Sequence, residues 1–579
     1  MSQFAKIGCS LLLGMTLSLA GCQRAAAPAP TPATAPAQPT WSAFVDEFVA
    51  AYFKANPAFA VGQGRHEYDG VFPDWSAAGI AKTVAELHAF RDRAAAYADG
   101  VLDVEQRFER DYLLARIDND LFWLEQARTP FTNPAFYLND ALDPSVYVTR
   151  PYASIDVRAA AFIKYAEGVA AAAPVIRANL PEVLPTTFVK LGVAGFGGLA
   201  DFYRKDVPQA FAGVRDPQLK QRLAAAIEPA AQAMQGLAAH LAANESRAIA
   251  PQPLGAEKFS LMLRMTERVD LPIEVIERAG REDLERNLAD LRKACARYAP
   301  GASIEACNDR VYRDKPAGGA VAGARAQLAG LRKFIVDHDV VTIPGPEVAE
   351  VDEAPPFNRQ NFAFIQIPGP YEKNLPSVYY IAPPDPSWPK AEQSSYVPGK
   401  QMLLFTSAHE VWPGHFLQFL HANRAKSQIG KLFVGYAYAE GWAHYAEELM
   451  LEKGLGGGDP AAQIGQINEA LLRNVRLMCA IGMHTRGMSL AECERMFREQ
   501  GLQSPGSARQ QAARGTYDPA YLNYTLGKLM IRKLRADWAA TRGSEKAWKA
   551  FHDEFLSFGG PPIPLVRARM LGPNAGAAL

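Results

Sequence analysis

Between residues 409 and 447 the chain reads His409-Glu410-Val411-Trp412-Pro413-Gly414-His415 and then Glu440-Gly441-Trp442-Ala443-His444-Tyr445-Ala446-Glu447. Metal-ligating and proton-transferring residue types are gathered there in one short span. Neutral imidazoles and a carboxylate hold Zn²⁺ at three positions and leave a fourth for water, whose pKa the ion lowers toward neutrality. A further carboxylate beside the ion then takes the proton, and Glu410, next to His409, has that place. The expected chemistry is hydrolysis with one Zn²⁺ per chain, held by His409, His415 and Glu440, with Glu410 as general base.

The spacing needs an explanation. In the H-E-x-x-H arrangement of zinc peptidases the two histidines are four apart and share a helical face. His409 and His415 are six apart, about 240° around a regular helix. Pro413-Gly414 lies between them, and a proline inside a helix loses the bond to the carbonyl four residues back. A local bulge there brings His415 back to the ion. The alternative third donor is His444, because Glu440, His444 and Glu447 share a face at i, i+4 and i+7. His415 is preferred and His444 stays open. Leu403, Leu404 and Phe405 before the motif, and Phe416, Leu417, Phe419 and Leu420 after it, place these ionisable groups in a buried segment. Buried charge needs partners, and a metal ion is one.

The elements that must position this site are mostly helical. Trp41, Phe44, Val45, Phe48, Val49 and Tyr52 repeat at helical spacing until Asn56-Pro57. Similar periodicity covers about 80–128, 154–175, 217–246, 272–299 and 318–336. The texture then changes across 340–384, where Val340-Val341, Phe362 to Ile367 and Val378 to Ile381 are short β-rich runs broken by Pro and Gly. Helices resume after the Gly454–Gly458 stretch, through Leu471–Met483 and Tyr521–Thr541. The fold class is mainly α, with a small sheet ahead of the metal-binding helix.

The body spans 41–579. Of 579 residues 49% are hydrophobic, enough for a large core, and Lys+Arg 61 balances Asp+Glu 61, which points away from nucleic acid as a partner. Residues 1–22 carry Lys6, an apolar run from Ile7 to Ala20 and then Leu19-Ala20-Gly21-Cys22, the form of a secretory signal ending at a lipidated cysteine. The run is too short to span a bilayer. Residues 23–40, rich in Ala, Pro and Thr, read as a tether. Attachment through Cys22 puts the protein in the bacterial envelope, and Gln23 after it resembles lipoproteins of the outer membrane, facing the periplasm. The membrane is then a partner only through this lipid. In an oxidising compartment Cys295, Cys307, Cys479 and Cys493 allow three pairings, of which the sequence neighbours are expected.

H-E-x-x-P-G-H followed by E-G-W-x-x-Y-x-E resembles the signature of the bacterial family called domain of unknown function 885, and both halves are intact here. The resemblance extends to Gly64-Arg-His-Glu-Tyr-Asp69 and to Tyr524-Thr-Leu-Gly527-Lys528. That family is similar to gluzincin peptidases such as carboxypeptidase Taq and thimet oligopeptidase, whose third zinc ligand is a glutamate about 25 residues downstream; Glu440 lies 25 residues after His415. The resemblance implies a large multi-helix zincin-like metallopeptidase fold, a strand beside the metal helix that holds substrate backbone, and a phenol, Tyr524, against the developing oxyanion. Where the family reads R-x-x-R-x-x-x-D-T-G-x-H, this chain keeps Arg473, Arg476, Gly482 and His484 but has Ala480 at the acid's place. His444 stands where leucine is more usual.

The expected substrate is a short peptide in the envelope. Tyr445, Glu447, His444, Arg473, Arg476, His484 and Lys528 are candidates for supporting the ligands or touching substrate. Two rivals remain: a metal-stapled binding lipoprotein without catalysis, and hydrolysis of a non-peptide amide. Exo- or endopeptidase action, cleavage specificity and oligomeric state are not written in these motifs.

Overall fold

The helix Trp41–Ala55 buries the face its apolar spacing draws, with Trp41, Phe44, Val45, Phe48, Val49 and Tyr52 all inside. Pro57 ends that run and opens the next short helix, where a missing N–H costs nothing. The structure is a computed structural model that describes residues 38–138, 141–355, 358–359 and 362–579. Trp41–Leu579 makes one unit. The expected signal, Cys22 and all but the last three residues of the expected tether lie outside the described residues.

The periodicity over 80–128 divides into two helices, Ala77–Ala95 and Val104–Leu121. Asp103 caps the second, its carboxylate accepting from the Gln106 N–H while the Gln106 side chain accepts from the Asp103 N–H. The helices Ile155–Asn179 and Thr186–Lys205 pack on Pro217–Ala243 around Phe162, Phe196, Tyr203 and Met234. Thr186–Lys205 escapes the sequence pattern because four glycines weaken its propensity. Burial against its neighbour compensates.

The C-terminal half holds the largest apolar core. Ile273–Tyr298 packs on Pro460–Thr485, and Tyr436–Glu452 on Asn523–Ala540. The helix Lys400–Glu410 sits among Gly319–Asp337, Tyr436–Glu452 and Pro460–Thr485. Disulfides join Cys295 to Cys307 and Cys479 to Cys493.

Three strands lie beside this group: β1 (Ala349–Glu353), β2 (Ala363–Gln366) and β3 (Ser377–Ile381), in the order β1-β3-β2. β1 runs parallel to β3, with Val351 opposite Tyr379, and β2 antiparallel, with Ile365 opposite the same Tyr379. The Val340-Val341 pair is not a strand. It follows the Gly319–Asp337 helix as a buried turn, because two β-branched residues are satisfied by burial alone. β1, with one buried side chain among five, carries little strand signal and is held by register with β3. β2 is one of the two edge strands and touches the Lys400–Glu410 helix.

Candidate metal centre

His409 occupies the last turn of the Lys400–Glu410 helix, and its side chain is almost wholly buried. The helix then stops; it does not bulge as the spacing suggested. Pro413 follows a cis peptide bond, and the Gly414 N–H donates to the Ala408 carbonyl at 2.9 Å, folding the chain back on the turn that carries His409. A Cβ at Gly414 would overlap the His409 carbonyl oxygen, so only glycine allows this return. His415 is the first residue of a new helix, His415–Ala422. The two imidazoles thereby meet edge to face, ring centroids 4.8 Å apart.

Glu440 comes from the first turns of the helix Tyr436–Glu452. The Trp442 indole N–H on the same helix donates to the Pro413 carbonyl at 2.8 Å and ties it to the bend. Glu440 Oε2 lies 3.3 Å from His409 Nε2 and 3.4 Å from His415 Nε2. Ligand atoms of His409, His415 and Glu440 all fall within 4.8 Å of one another.

The donor set fits a cation. Glu447 is fully buried and accepts from His409 Nδ1 at 2.7 Å, which leaves the lone pair of Nε2 turned to Glu440. Arg473 Nη2 stands 3.2 Å from the same Glu447 oxygen and 3.3 Å from His409 Nδ1. We assign the ring proton to the shorter bond. Glu440 Oε2 and His415 Nδ1 are buried without a hydrogen-bond partner among the described residues. Burial pushes the His409 pKa down and the Arg473 charge pushes it further, yet Glu440 and Glu447 outweigh both and bring it up to about 9. Burial opposes the charge on Glu440, and His415 and His409 hold its pKa well below the usual carboxylate range. Two imidazoles and a carboxylate turned on one space are a donor set that suits a divalent ion.

Glu410 joins the wall of the same space, a cavity of about 2510 Å³ that His409, His415, Glu440, Arg473, Arg476 and Tyr524 also line. Burial raises its carboxyl pKa, with the two histidines pulling the other way. Tyr524 is stacked 6.4 Å from the His409 ring, and three guanidiniums, those of Arg476, Arg473 and Arg514, lie 4.7, 5.8 and 6.0 Å from its centre. Burial and Glu440 raise the pKa of the phenol while the arginines restrain it. β2 lines the cavity with all four of its residues.

Other expected positions fall elsewhere. His444 is fully buried, its Nδ1 3.5 Å from Glu447 Oε2, too far for a hydrogen bond, and it is not among the converging ligand atoms. Burial, then the Lys528 charge, push its pKa down to about 4. Tyr445, five residues past Glu440 and so turned about 140° away, is bonded to His552 and Arg535. Lys528 is locked to Asp283 at 2.5 Å and reaches Glu448 at 3.4 Å, in an ion cluster outside the cavity. His484, about 16 Å along its helix from Arg473, ties Leu254 N–H to the Gly515 carbonyl.

Four residues escaped the sequence reading. Tyr436 and Arg514 bond one another and Asp518 beside Tyr524, and Glu469 holds Arg473 from one turn earlier. Tyr436 precedes Glu440 by four, a spacing that puts both on one face; nothing in the sequence marks Arg514.

No curated protein matches this chain. Two solved structures share its fold. One is from Shewanella oneidensis and described as a "putative lipoprotein of unknown function", with TM-score 0.75 and 21% identity over 92% of this chain and 100% of that one. The other is a protein of Colwellia psychrerythraea, also described as a "putative lipoprotein", with TM-score 0.75 and 18% identity over 92% and 98%. A family model matches residues 57–570, and the chain belongs to that family, the bacterial proteins of unknown function DUF885.

Proposed function

We propose that this protein is a zinc-dependent hydrolase of peptide bonds, tethered in the bacterial envelope. The observation that carries the reading is the convergence of His409 Nε2, His415 Nε2 and Glu440 Oε2, with Glu410 beside them, in the wall of a cavity of peptide size. A bound Zn²⁺ supplies Lewis acidity, drawing charge from a carbonyl oxygen and making water a stronger acid. Glu447, held by Arg473, fixes the ring and tautomer of His409. Glu410 takes a proton from the attacking water and hands it to the leaving amine. The Tyr524 phenol donates to the oxyanion as charge develops there. β2, an edge strand whose four residues line the cavity, takes the substrate backbone by strand pairing.

A site that only stapled helices would be closed by a fourth protein ligand. His444, the candidate for that place, is not among the converging ligand atoms, which supports the open, catalytic form. The Leu19–Cys22 segment and the lipoprotein descriptions of both fold relatives support anchoring through Cys22.

The test is metal content together with cleavage mapping on a mixed peptide library, native protein against Glu410→Gln. The native protein should carry one zinc and cut, and the variant should carry zinc and not cut. Purified protein that takes up no transition metal, or a variant that cuts at the native rate, overturns the reading.

A further inference from the structure

Arg476 follows Arg473 by three on the Pro460–Thr485 helix, so the two guanidiniums share a face. Their surroundings differ. Arg473 is matched by Glu447 and by Glu469, and Arg514, the third guanidinium around Tyr524, by Asp518. Arg476 has no carboxylate within 4.0 Å among the described residues; its Nε donates to the Gln511 side chain at 2.9 Å, and its two Nη nitrogens have no acceptor there. Yet the residue is only 7% exposed, and what exposure it has is to the cavity, where it lies against the Tyr524 ring. Burial, and then the charge of Arg514, push its pKa below the ordinary guanidinium value.

A guanidinium facing like charges, with no anion of its own among the described residues and opening only on the cavity, suits an anion from outside the chain. A planar fork with two free N–H groups suits a carboxylate, which it takes with two parallel bonds. Its place matters too. The Tyr524 ring on which it lies is itself 6.4 Å from the His409 ring, so an anion bound there lies a short reach from the bond to be broken.

We infer that Arg476 binds the terminal carboxylate of the substrate, which makes the enzyme a carboxypeptidase that removes residues from the carboxyl end. The inference rests on the proposed peptide hydrolysis and narrows it. Endopeptidase action would put a neutral backbone amide against this guanidinium and leave its charge unmatched.

The test uses one N-acetylated tripeptide library prepared twice, as free acids and as carboxyl-terminal amides. Native zinc-loaded protein should cut the acids about a hundredfold faster in kcat/KM than the amides, chiefly through KM. Arg476→Gln should bring the acid-to-amide ratio close to one, a coupling that a packing role would not produce. In a second arm, Glu410→Gln protein is offered both libraries together and the retained peptides are identified by mass; acids should be enriched by a similar factor. Equal cleavage of acids and amides by native protein overturns the inference and leaves hydrolysis standing, and it needs no variant to fold. Retention of amides only where they contain Asp or Glu moves the carboxylate to a side chain and also overturns it. If neither library is cut or retained, peptide hydrolysis fails and this inference with it.

Discussion

Gly441 and Gly527 face one another where the Glu440 helix crosses the Tyr524 helix, so closely that a Cβ on Gly441 would lie 2.5 Å from the Gly527 Cα. The two main chains touch with no side chain between them. Glu440 is the neighbour of one glycine and Tyr524 stands three residues before the other. The proposed metal ligand and the phenol proposed to meet the oxyanion are thus spaced by a backbone contact.

Gly441→Ala and Gly527→Ala should each destabilise the protein by about 1–3 kcal/mol, the range for overpacking a filled core. Both should also weaken zinc binding, because Glu440 moves with its helix. Urea denaturation and chelator competition measure the two effects. Stability within about 0.5 kcal/mol of native would show that the crossing yields without cost.

The ligand assignment separates two histidines. His415→Ala should abolish tight zinc binding, while His444→Leu should keep it. Glu447→Gln should lower zinc affinity by about 10–100-fold by releasing the His409 ring. Zinc retained by His415→Ala and lost by His444→Leu would invert the assignment.

Tyr524→Phe removes one hydroxyl and keeps the ring on which Arg476 lies. It should lower kcat by about a hundredfold with little change in KM, the pattern for a donor that acts in the transition state. A rise in KM alone would make Tyr524 a binding group instead.

Glu267 predicts a pH dependence of stability. Its Oε1 accepts from the Ala437 N–H, at the start of the Glu440 helix, and from the Asn523 side chain, while Oε2 is buried without a partner among the described residues. Burial pushes its pKa up from 4.5 to about 8, against the pull of the Ala437 bond. A carboxyl with a raised folded pKa binds its proton more tightly folded than unfolded, so its contribution is full below about 4.5 and is lost as pH rises through about 8. Urea midpoints taken from pH 5.5 to 9 should fall in the native protein and fall less in Glu267→Gln, which keeps the acceptor and removes the charge. Parallel curves would mean that Glu267 titrates normally.

The residue types of the centre, the helical periodicity of the body and the break at Pro413-Gly414 can all be read from the chain, because each is a local property of composition and spacing. The same local character explains the misreadings. Val340-Val341 has strand chemistry and no strand partner, and Thr186–Lys205 has glycines that only packing makes helical. What tertiary structure decided was company. It set His415 against Glu440 and left His444 out of the cluster, gave Arg473 and Arg514 their carboxylates and gave Arg476 none among the described residues, and sent Lys528 into an ion cluster away from the cavity. Pairing between side chains tens or hundreds of residues apart depends on how helices cross, and no spacing along one helix encodes which charge is left unmatched at the end.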